Sequence, residues 1–398
     1  MNKKVLSLLG TGHAFTDINQ GALPIILTFL QPVLMLSQLQ VGMVMLSFNL
    51  SSSVIQPAFG IFSDRFKAAW LIPAGCFLAG LGMSLTGYAA GYHILMIAAL
   101  LSGLGVAAYH PEGSKYARFA SGPQKATGMS IYSVGGNFGF AAGPVLAALF
   151  FELAGLKGTA GFFVLNGIMA LLLLLFMSGI ISAETAGQIP ARANTGGQPS
   201  GEQRRPISFN VAVSVFLLVS VVVMRSWVHF GLVTFLPQYY VLHLHHSNTY
   251  AASLVTLFLF SGALGTLIGG PAADRWGLKN VIVTSMALMI PLLYFFLHSQ
   301  GVWTIVVVAL AGFSLISTFA VTVVLGQELL PNNIGLAAGL TMGFGIGMGG
   351  VGATLLGWVA DTWGLPSIFL VMMFFPVTGL LLSLFLPGRK KLEAAKNQ

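Results

Sequence analysis

Charged residues are scarce in this sequence of 398 residues. Asp, Glu, Lys and Arg make up 7% of it, whereas soluble globular domains carry about 25%. A chain with so few charges cannot cover a water-facing surface, which excludes a soluble enzyme or scaffold protein. Hydrophobic residues make up 56% of the chain, and apolar runs recur from end to end rather than in one anchor.

Cysteine and the usual catalytic motifs are also lacking. Cys76 is the single cysteine, so no disulfide can form within the chain. The sequence has no glycine-rich phosphate loop, no Ser-His-Asp set and no pair of metal-binding carboxylates. These absences argue against a membrane enzyme, and we expect no catalytic activity and no cofactor. One short histidine cluster is too weak a signal to predict a metal site: His243, His245 and His246.

Twelve apolar segments are long enough to cross a bilayer, which takes about 20 mostly apolar residues. They lie near residues 5–30, 41–62, 69–88, 93–117, 127–152, 161–182, 209–240, 250–270, 280–298, 302–326, 334–360 and 366–387. An even number of spans places both chain ends on one side of the membrane. The sequence therefore predicts an all-α membrane protein of twelve transmembrane helices.

The net charge of +8 is distributed unevenly along the chain. Lysine and arginine lie at the N-terminus, in alternate loops and in the C-terminal tail, whereas the opposite loops carry only Lys157. This asymmetry follows the positive-inside rule. It predicts a multi-pass protein of the plasma (bacterial inner) membrane with both termini in the cytoplasm. Because topology explains the basic residues, we expect the lipid bilayer as a partner and no nucleic acid.

One long polar stretch divides the chain. Residues 183–206 are rich in Gly, Pro and charged residues, which predicts a flexible cytoplasmic linker. It separates residues 1–182 from residues 207–398, and each part has six predicted helices. The two halves also repeat, because a motif at the end of the second helix recurs at the end of the eighth at an offset of 210 residues: Gly60, Asp64 and Arg65, then Gly270, Asp274 and Arg275.

Two six-helix halves related by a parallel repeat are the arrangement of major facilitator transporters. The repeated motif resembles the cytoplasmic loop signature of that superfamily, GxxxDRxG. The copy from Gly270 to Gly277 fits it fully, whereas the first copy has Phe66-Lys67 where the family usually has Gly-Arg. An Asp at a helix end can accept hydrogen bonds from the amides of a neighbouring helix N-terminus. We therefore interpret both copies as conformational latches.

Glycines are spaced by four in the fifth predicted helix, at Gly135, Gly139 and Gly143, and Pro144 follows. One face of this helix is therefore bare backbone. The stretch partly resembles the glycine-proline signature of proton-driven exporters, with Ala147-Ala148 in place of the usual pair of glycines. Two interpretations stay open, which are tight helix packing without direction of transport and a role in export.

Ionisable groups within the bilayer cost ~2.5–3.5 kcal/mol each on insertion scales, so they usually mark a pathway. Asp17 and Arg225 lie near mid-span and could face each other across a central cavity, and Glu112 can pair with Lys115 three residues on. Purely structural ion pairs are the alternative. The candidates for substrate binding or proton coupling are His13, Asp17, Tyr109, His110, Glu112, Lys115, Arg225 and His229.

Three segments narrow the resemblance: HAFTDINQGALP in the first helix, YHPEGSKYAR in the fourth and RSWVHFGLVTFLPQYY in the seventh. They are similar to the fosmidomycin resistance branch of the major facilitator superfamily. This resemblance implies proton-coupled export of a small phosphonate-like anion. Arg225 could bind such an anion in bidentate fashion, and Asp17 or Glu112 could carry the coupling proton. An importer of a small organic anion or other nutrient is the alternative, and we expect a monomer because each chain carries both halves.

Overall fold

The computed structural model describes residues 1–56, 58–59, 62, 66, 68–122, 125–187, 209–330, 337 and 339–389, and within them it consists of helices joined by short turns. No strand occurs among them. The first copy of the predicted latch, Gly60, Asp64 and Arg65, lies outside the described residues.

The N-terminal half contributes helices α1 to α6. Their bounds are Lys3–Leu34 (α1), Gln38–Asn49 (α2), Leu71–Thr86 (α3), Tyr92–Ser121 (α4), Lys125–Ala154 (α5) and Ala160–Leu175 continued by Met177–Gly187 (α6). Helix α2 continues into a π-helical turn at Leu50–Val54. Because α6 runs to Gly187, the first five residues of the predicted linker 183–206 are helical, and the rest lie outside the described residues.

The C-terminal half contributes helices α7 to α12. Their bounds are Phe209–Gln238 (α7), Asn248–Trp276 (α8), Leu278–His298 (α9), Val302–Ile316 continued by Thr318–Leu329 (α10), Gly345–Trp363 (α11) and Leu365–Met372 continued by Phe374–Leu384 (α12). Each of the twelve predicted spans overlaps one of these stretches. By length and composition alone, seven helices in the described part of the chain are long and apolar enough to cross a membrane.

Glycine lets α1 and α5 pack with their backbones in contact. A Cβ atom added at Gly135, Gly139 or Gly143 would lie between 2.0 and 2.4 Å from a carbonyl oxygen of α1. Real Cβ atoms do not approach so closely, so any side chain at these positions would force the helices apart. The glycines of α5 are therefore a packing surface, and a role in export stays a prediction.

The apolar core of the described residues has one part shared by the two halves and three parts that each lie within one half, the smallest of them Ala68, Leu71 and Ala108. On the face of the bundle around Leu34, Ala154 and Trp363, which we call the distal face, one cluster of buried side chains includes residues from both halves. On the face around Lys3 and Leu384, which we call the terminal face, the described residues of each half form a cluster of their own. The halves are therefore joined at the distal face by α2 against α11 and α5 against α8.

Candidate functional site

Helices α1 and α4 bring three of the predicted site residues together. His13 Nε2 lies 3.1 Å from Asp17 Oδ2, one turn along α1, as the four-residue spacing predicts. His110 Nε2 reaches the same carboxylate from α4, 3.2 Å from Asp17 Oδ1. The two Nε2 atoms lie 3.1 Å apart. We call these three residues the histidine–aspartate cluster.

Backbone carbonyls hold both imidazole rings of the cluster in place. His13 Nδ1 lies 2.9 Å from the carbonyl oxygen of Tyr132 on α5. His110 Nδ1 lies 2.8 Å from the carbonyl oxygen of Val106, one turn earlier on α4. A carbonyl oxygen only accepts hydrogen bonds, so each Nδ1 carries a hydrogen and each Nε2 faces Asp17. The ring orientations are therefore set by the packing of three helices.

Small residues make the space in which the cluster sits. A Cβ atom at Gly136 would lie 2.4 Å from His13 Nε2 and 2.8 Å from Asp17 Oδ2. A Cβ atom at Gly12 would lie 2.5 Å from the hydroxyl of Tyr109, which donates a 2.6 Å hydrogen bond to the carbonyl oxygen of Leu9. Tyr109 is fully buried, and its hydroxyl joins α4 to α1. Its observed contacts are those of a positioning residue.

Arg225 lies in the other half of the protein, on α7. Its side chain is buried, with 4% of the residue exposed. Its Nη1 lies 3.4 Å from the hydroxyl of Thr322 on α10, and its guanidinium carbon lies 4.8 Å from the centre of the Phe319 ring. No carboxylate among the described residues pairs with it. A buried guanidinium whose contacts are a hydroxyl and an aromatic face carries a positive charge that no negative charge balances.

The pairing of Asp17 with Arg225 that the sequence suggested is absent from this structure. Asp17 is occupied by the two imidazoles of its own half, and Arg225 donates to Thr322 within the other half. Asp17 with its two histidines and Arg225 with Thr322 therefore form two separate sites. His229, one turn after Arg225, packs its ring against Phe140 of α5 and Phe258 of α8, with centroid distances of 6.1 and 5.6 Å.

Glu112 and Lys115 form the predicted pair on α4. Lys115 Nζ lies 3.3 Å from Glu112 Oε1, and Glu112 is buried, with 1% of the residue exposed. Because its carboxylate is held by a cation on its own helix, Glu112 suits the structural interpretation better than Asp17 does.

The second copy of the predicted latch ends α8 at the terminal face. Asp274 and Arg275 are exposed, and Asp274 makes no ion pair or hydrogen bond with another described residue. Nothing within 4 Å would meet a Cβ atom at Gly270. The latch role of these three residues stays a prediction.

A carboxylate that the sequence analysis missed joins the two halves at the distal face. Asp361, near the end of α11, accepts hydrogen bonds from the backbone amides of Gln38 and Leu39, at 2.7 and 2.8 Å. These amides begin α2 and have no partner within their own helix. The signal was present in the sequence, because Gly357, Asp361 and Gly364 repeat the spacing of Gly270, Asp274 and Gly277.

A second contact of the same kind lies across the bundle. The hydroxyl of Thr249, in the first turn of α8, donates a hydrogen bond to Glu152 at the end of α5. The repeat offset of 210 residues relates the start of α2 to the start of α8 and the end of α5 to the end of α11. We call these two contacts the distal contacts. Each joins an acidic residue of one half to a helix start of the other.

The histidine–aspartate cluster also has the donor types that bind transition metals. One ligand atom from each of His13, Asp17 and His110 lies within 4.8 Å of the other two. The histidines of the loop after α7 pack on aromatic rings instead, with His243 stacked on Tyr239 and His246 against Tyr240. Any cation at mid-bundle, a proton included, would be stabilised in the cluster by the Asp17 carboxylate.

Comparisons with known proteins agree with this architecture. A family model described as Major Facilitator Superfamily matches residues 9–340 and 218–398. The chain is 33% identical to the fosmidomycin resistance protein of Escherichia coli (strain K12) over 97% of this chain and 93% of that protein. It is also 33% identical to the uncharacterized MFS-type transporter YfnC of Bacillus subtilis (strain 168), over 98% of this chain and 94% of that one.

Among solved structures, a bacterial homologue of the human lysosomal transporter Spinster, in an inward-facing and occupied conformation, shares the fold. Its TM-score is 0.75 at 15% identity, covering 96% of both chains. The matched family consists of membrane transporters rather than enzymes. The family match and the two relatives both extend along essentially the whole sequence, and so this chain belongs to the major facilitator superfamily.

Proposed function

We propose that this protein is a proton-coupled secondary transporter that exports a small phosphonate-like anion by alternating access. The observation that carries the proposal is the buried, unpaired guanidinium of Arg225. Burial of a charge without a partner is costly, and such groups persist inside membranes where a ligand or a pathway uses them. An anion is the ligand that would remove the cost.

The surroundings of Arg225 favour an oxyanion. The hydroxyl of Thr322 donates to the carbonyl oxygen of Phe319 at 2.9 Å, so its oxygen is left to accept from the guanidinium and orient it. The planar guanidinium can then present two parallel N–H groups to two phosphonate oxygens, a geometry that a lysine ammonium does not reproduce.

The histidine–aspartate cluster is the proposed proton site. Antiport requires that proton and substrate exclude each other, and here the two sites lie in different halves. Direct competition for one group is therefore unavailable to them. The exclusion would act through the relative position of the halves. A bound proton and a bound anion would then favour conformations that open to opposite sides of the membrane.

The direction of transport is inferred from a relative. The Escherichia coli protein is named for resistance to fosmidomycin, and removal of an antibiotic from the cytoplasm is one way to confer resistance. Import of a small organic anion by the same fold is the second candidate, since Arg225 would bind an anion from either side.

Transport in membrane vesicles tests the proposal. We expect inside-out vesicles with an acidic interior to accumulate radiolabelled fosmidomycin, and we expect right-side-out vesicles not to do so. Arg225→Ala should abolish binding of fosmidomycin to the purified protein and Arg225→Lys should weaken it, whereas the exposed Lys157→Ala should bind as the unmodified protein does. Unchanged affinity in Arg225→Ala would remove this residue from the site and the anion proposal with it.

A further inference from the structure

We infer that the coupling proton is carried between the imidazoles of His13 and His110, while the carboxylate of Asp17 stays ionised beside them. This inference rests on the proposed proton coupling and names its carrier. It differs from the simpler expectation that a buried carboxyl group itself takes up and releases the proton.

The hydrogen bonds of the two rings fix where a proton can bind. Both Nδ1 atoms donate to backbone carbonyl oxygens, of Tyr132 and Val106. In the neutral form of each ring, Nε2 then carries a lone pair and no hydrogen. The two Nε2 atoms are 3.1 Å apart, and each is also within 3.2 Å of an oxygen of Asp17. Without a further proton, two nitrogen lone pairs and a carboxylate would face one another with no hydrogen among them.

One added proton resolves this arrangement. Bound to Nε2 of either ring, it makes that ring an imidazolium, which donates to the lone pair of the other ring and forms an ion pair with the carboxylate beside it. A second added proton would place two cationic N–H groups 3.1 Å apart, which like-charge repulsion opposes. The observed geometry thus fits a cluster that holds one proton, with the charge of Asp17 balanced by one imidazolium.

The proton step needs no other reactant. On uptake, an N–H bond forms at Nε2 with a proton from water, and the net charge of the cluster changes from −1 to zero. On release, the same bond breaks, the proton returns to water, and the three acceptors repel one another. Since His13 and Asp17 lie on α1 and His110 on α4, this repulsion acts between two helices. Release of the proton is therefore coupled to a change in helix packing.

Two tyrosines and a cysteine are the other titratable groups around Asp17. The titratable side chains that interact with Asp17 from the neighbouring helices are Tyr109 of α4 and Tyr132 of α5, and Cys76 of α3 interacts with Tyr109. The Tyr109 hydroxyl is already committed as a donor to Leu9. The imidazoles are the groups in contact with Asp17 that can gain or lose a proton without leaving the carboxylate uncompensated.

Nitrogen-15 NMR of the full-length protein in nanodiscs, labelled at histidine, tests the inference without a substrate. We expect two rings with hydrogen at Nδ1 throughout, whose Nε2 signals move together as one proton per chain is bound. His13→Gln and His110→Gln assign these signals, and each should leave the remaining ring titrating alone. His93→Gln, at an exposed histidine, should leave the paired signals unchanged.

Three outcomes would overturn the inference. Independent titration of the two rings, or two neutral rings beside a titrating Asp17 carboxyl, would assign the proton elsewhere in the cluster. One equivalent of tightly bound metal, whose removal by a chelator shifts both rings, would make the shared cation a metal ion.

Failure of the broader proposal looks different. If His13→Gln, His110→Gln and Asp17→Asn all still accumulate fosmidomycin in response to a pH gradient, then proton coupling at this cluster is wrong whatever the NMR shows. If Asp17→Asn abolishes gradient-driven accumulation while both glutamine variants retain it, coupling at the cluster stands and the imidazole pair is not the carrier.

Discussion

Removal of the Asp361 carboxylate should open the distal face. In the structure this side chain accepts two hydrogen bonds from the first amides of α2, at 2.7 and 2.8 Å, and α11 and α2 belong to different halves. The closeness of the two helices depends on glycine, because a Cβ atom at Gly357 would lie 2.2 Å from the carbonyl oxygen of Gln38. Asp361→Asn keeps the size of the side chain and removes its charge.

The expected magnitude follows from helix capping. Loss of a side chain that caps a helix N-terminus costs about 0.5–2 kcal/mol, and the interaction of an exposed carboxylate with the helix dipole contributes about 0.3–1 kcal/mol of such values. Because Asp361 is exposed, we take the loss of its contact with α2 as about 1 kcal/mol. This corresponds to about a fivefold change in the equilibrium between the closed and the open distal face. Glu152→Gln acts on a different helix pair, so its effect should add to that of Asp361→Asn.

Spin-label distances across the distal face provide the assay. Labels at Met35 and Val302, one in each half and both exposed, would be introduced after replacement of Cys76 by serine. We expect the population with a long distance to rise about fivefold in Asp361→Asn, by the capping magnitude above. Thr362→Ala, at the next exposed position of α11, should leave the distribution unchanged. An unchanged distribution in Asp361→Asn, or an equal shift in Thr362→Ala, would refute the assignment.

Three further experiments test the remaining parts of the site. Gly136→Ala should lower the free energy of unfolding by about 1–3 kcal/mol through overpacking and abolish gradient-driven transport, whereas Gly167→Ala, with nothing within 4 Å of its Cβ, should be neutral or stabilising in thermal unfolding. The double variant Asp17→Asn/Arg225→Gln should bind fosmidomycin no better than Arg225→Gln, and recovered binding would show that the two charges do pair in another state. Asp274→Asn should slow transport with little change in substrate affinity in detergent, and a large loss of affinity would place this residue at the binding site.

Most of the fold could be predicted from the sequence because it depends on local patterns. Twelve apolar runs and a repeat at a fixed offset are visible without tertiary information, and the four-residue spacing of His13 and Asp17 places them on one helix face. The end of the sixth helix was placed too early because α6 continues past its apolar run to Gly187, where hydropathy gives no signal.

The parts that were missed depend on contacts between helices. His110 reaches Asp17 only because α4 packs beside α1, and the carbonyl oxygens that orient both imidazoles belong to Tyr132 and Val106. A mid-span acid and a mid-span base suggested a pair across the halves, but a nearer partner existed within the same half. Asp361 was missed although its glycine spacing repeats that of Asp274, because its partners are backbone amides, which no residue type marks in the sequence.

The distribution of contacts also bears on how a proton in one half can affect an anion in the other. No hydrogen bond or ion pair between described side chains links the histidine–aspartate cluster directly to Arg225. The cluster lies partly on α1, and Arg225 lies on α7. These two helices belong to halves that meet at the distal face and have separate cores at the terminal face.

In the proposed mechanism, repulsion within a deprotonated cluster acts on α1 and α4, and an anion bound at Arg225 acts on α7 and α10. If each event changes the packing of its own half, as we propose, the distal contacts are where the two halves must fit together. Loss of a distal contact should therefore loosen the coupling between proton and anion, measured as the number of protons moved per anion, while each site keeps its own affinity.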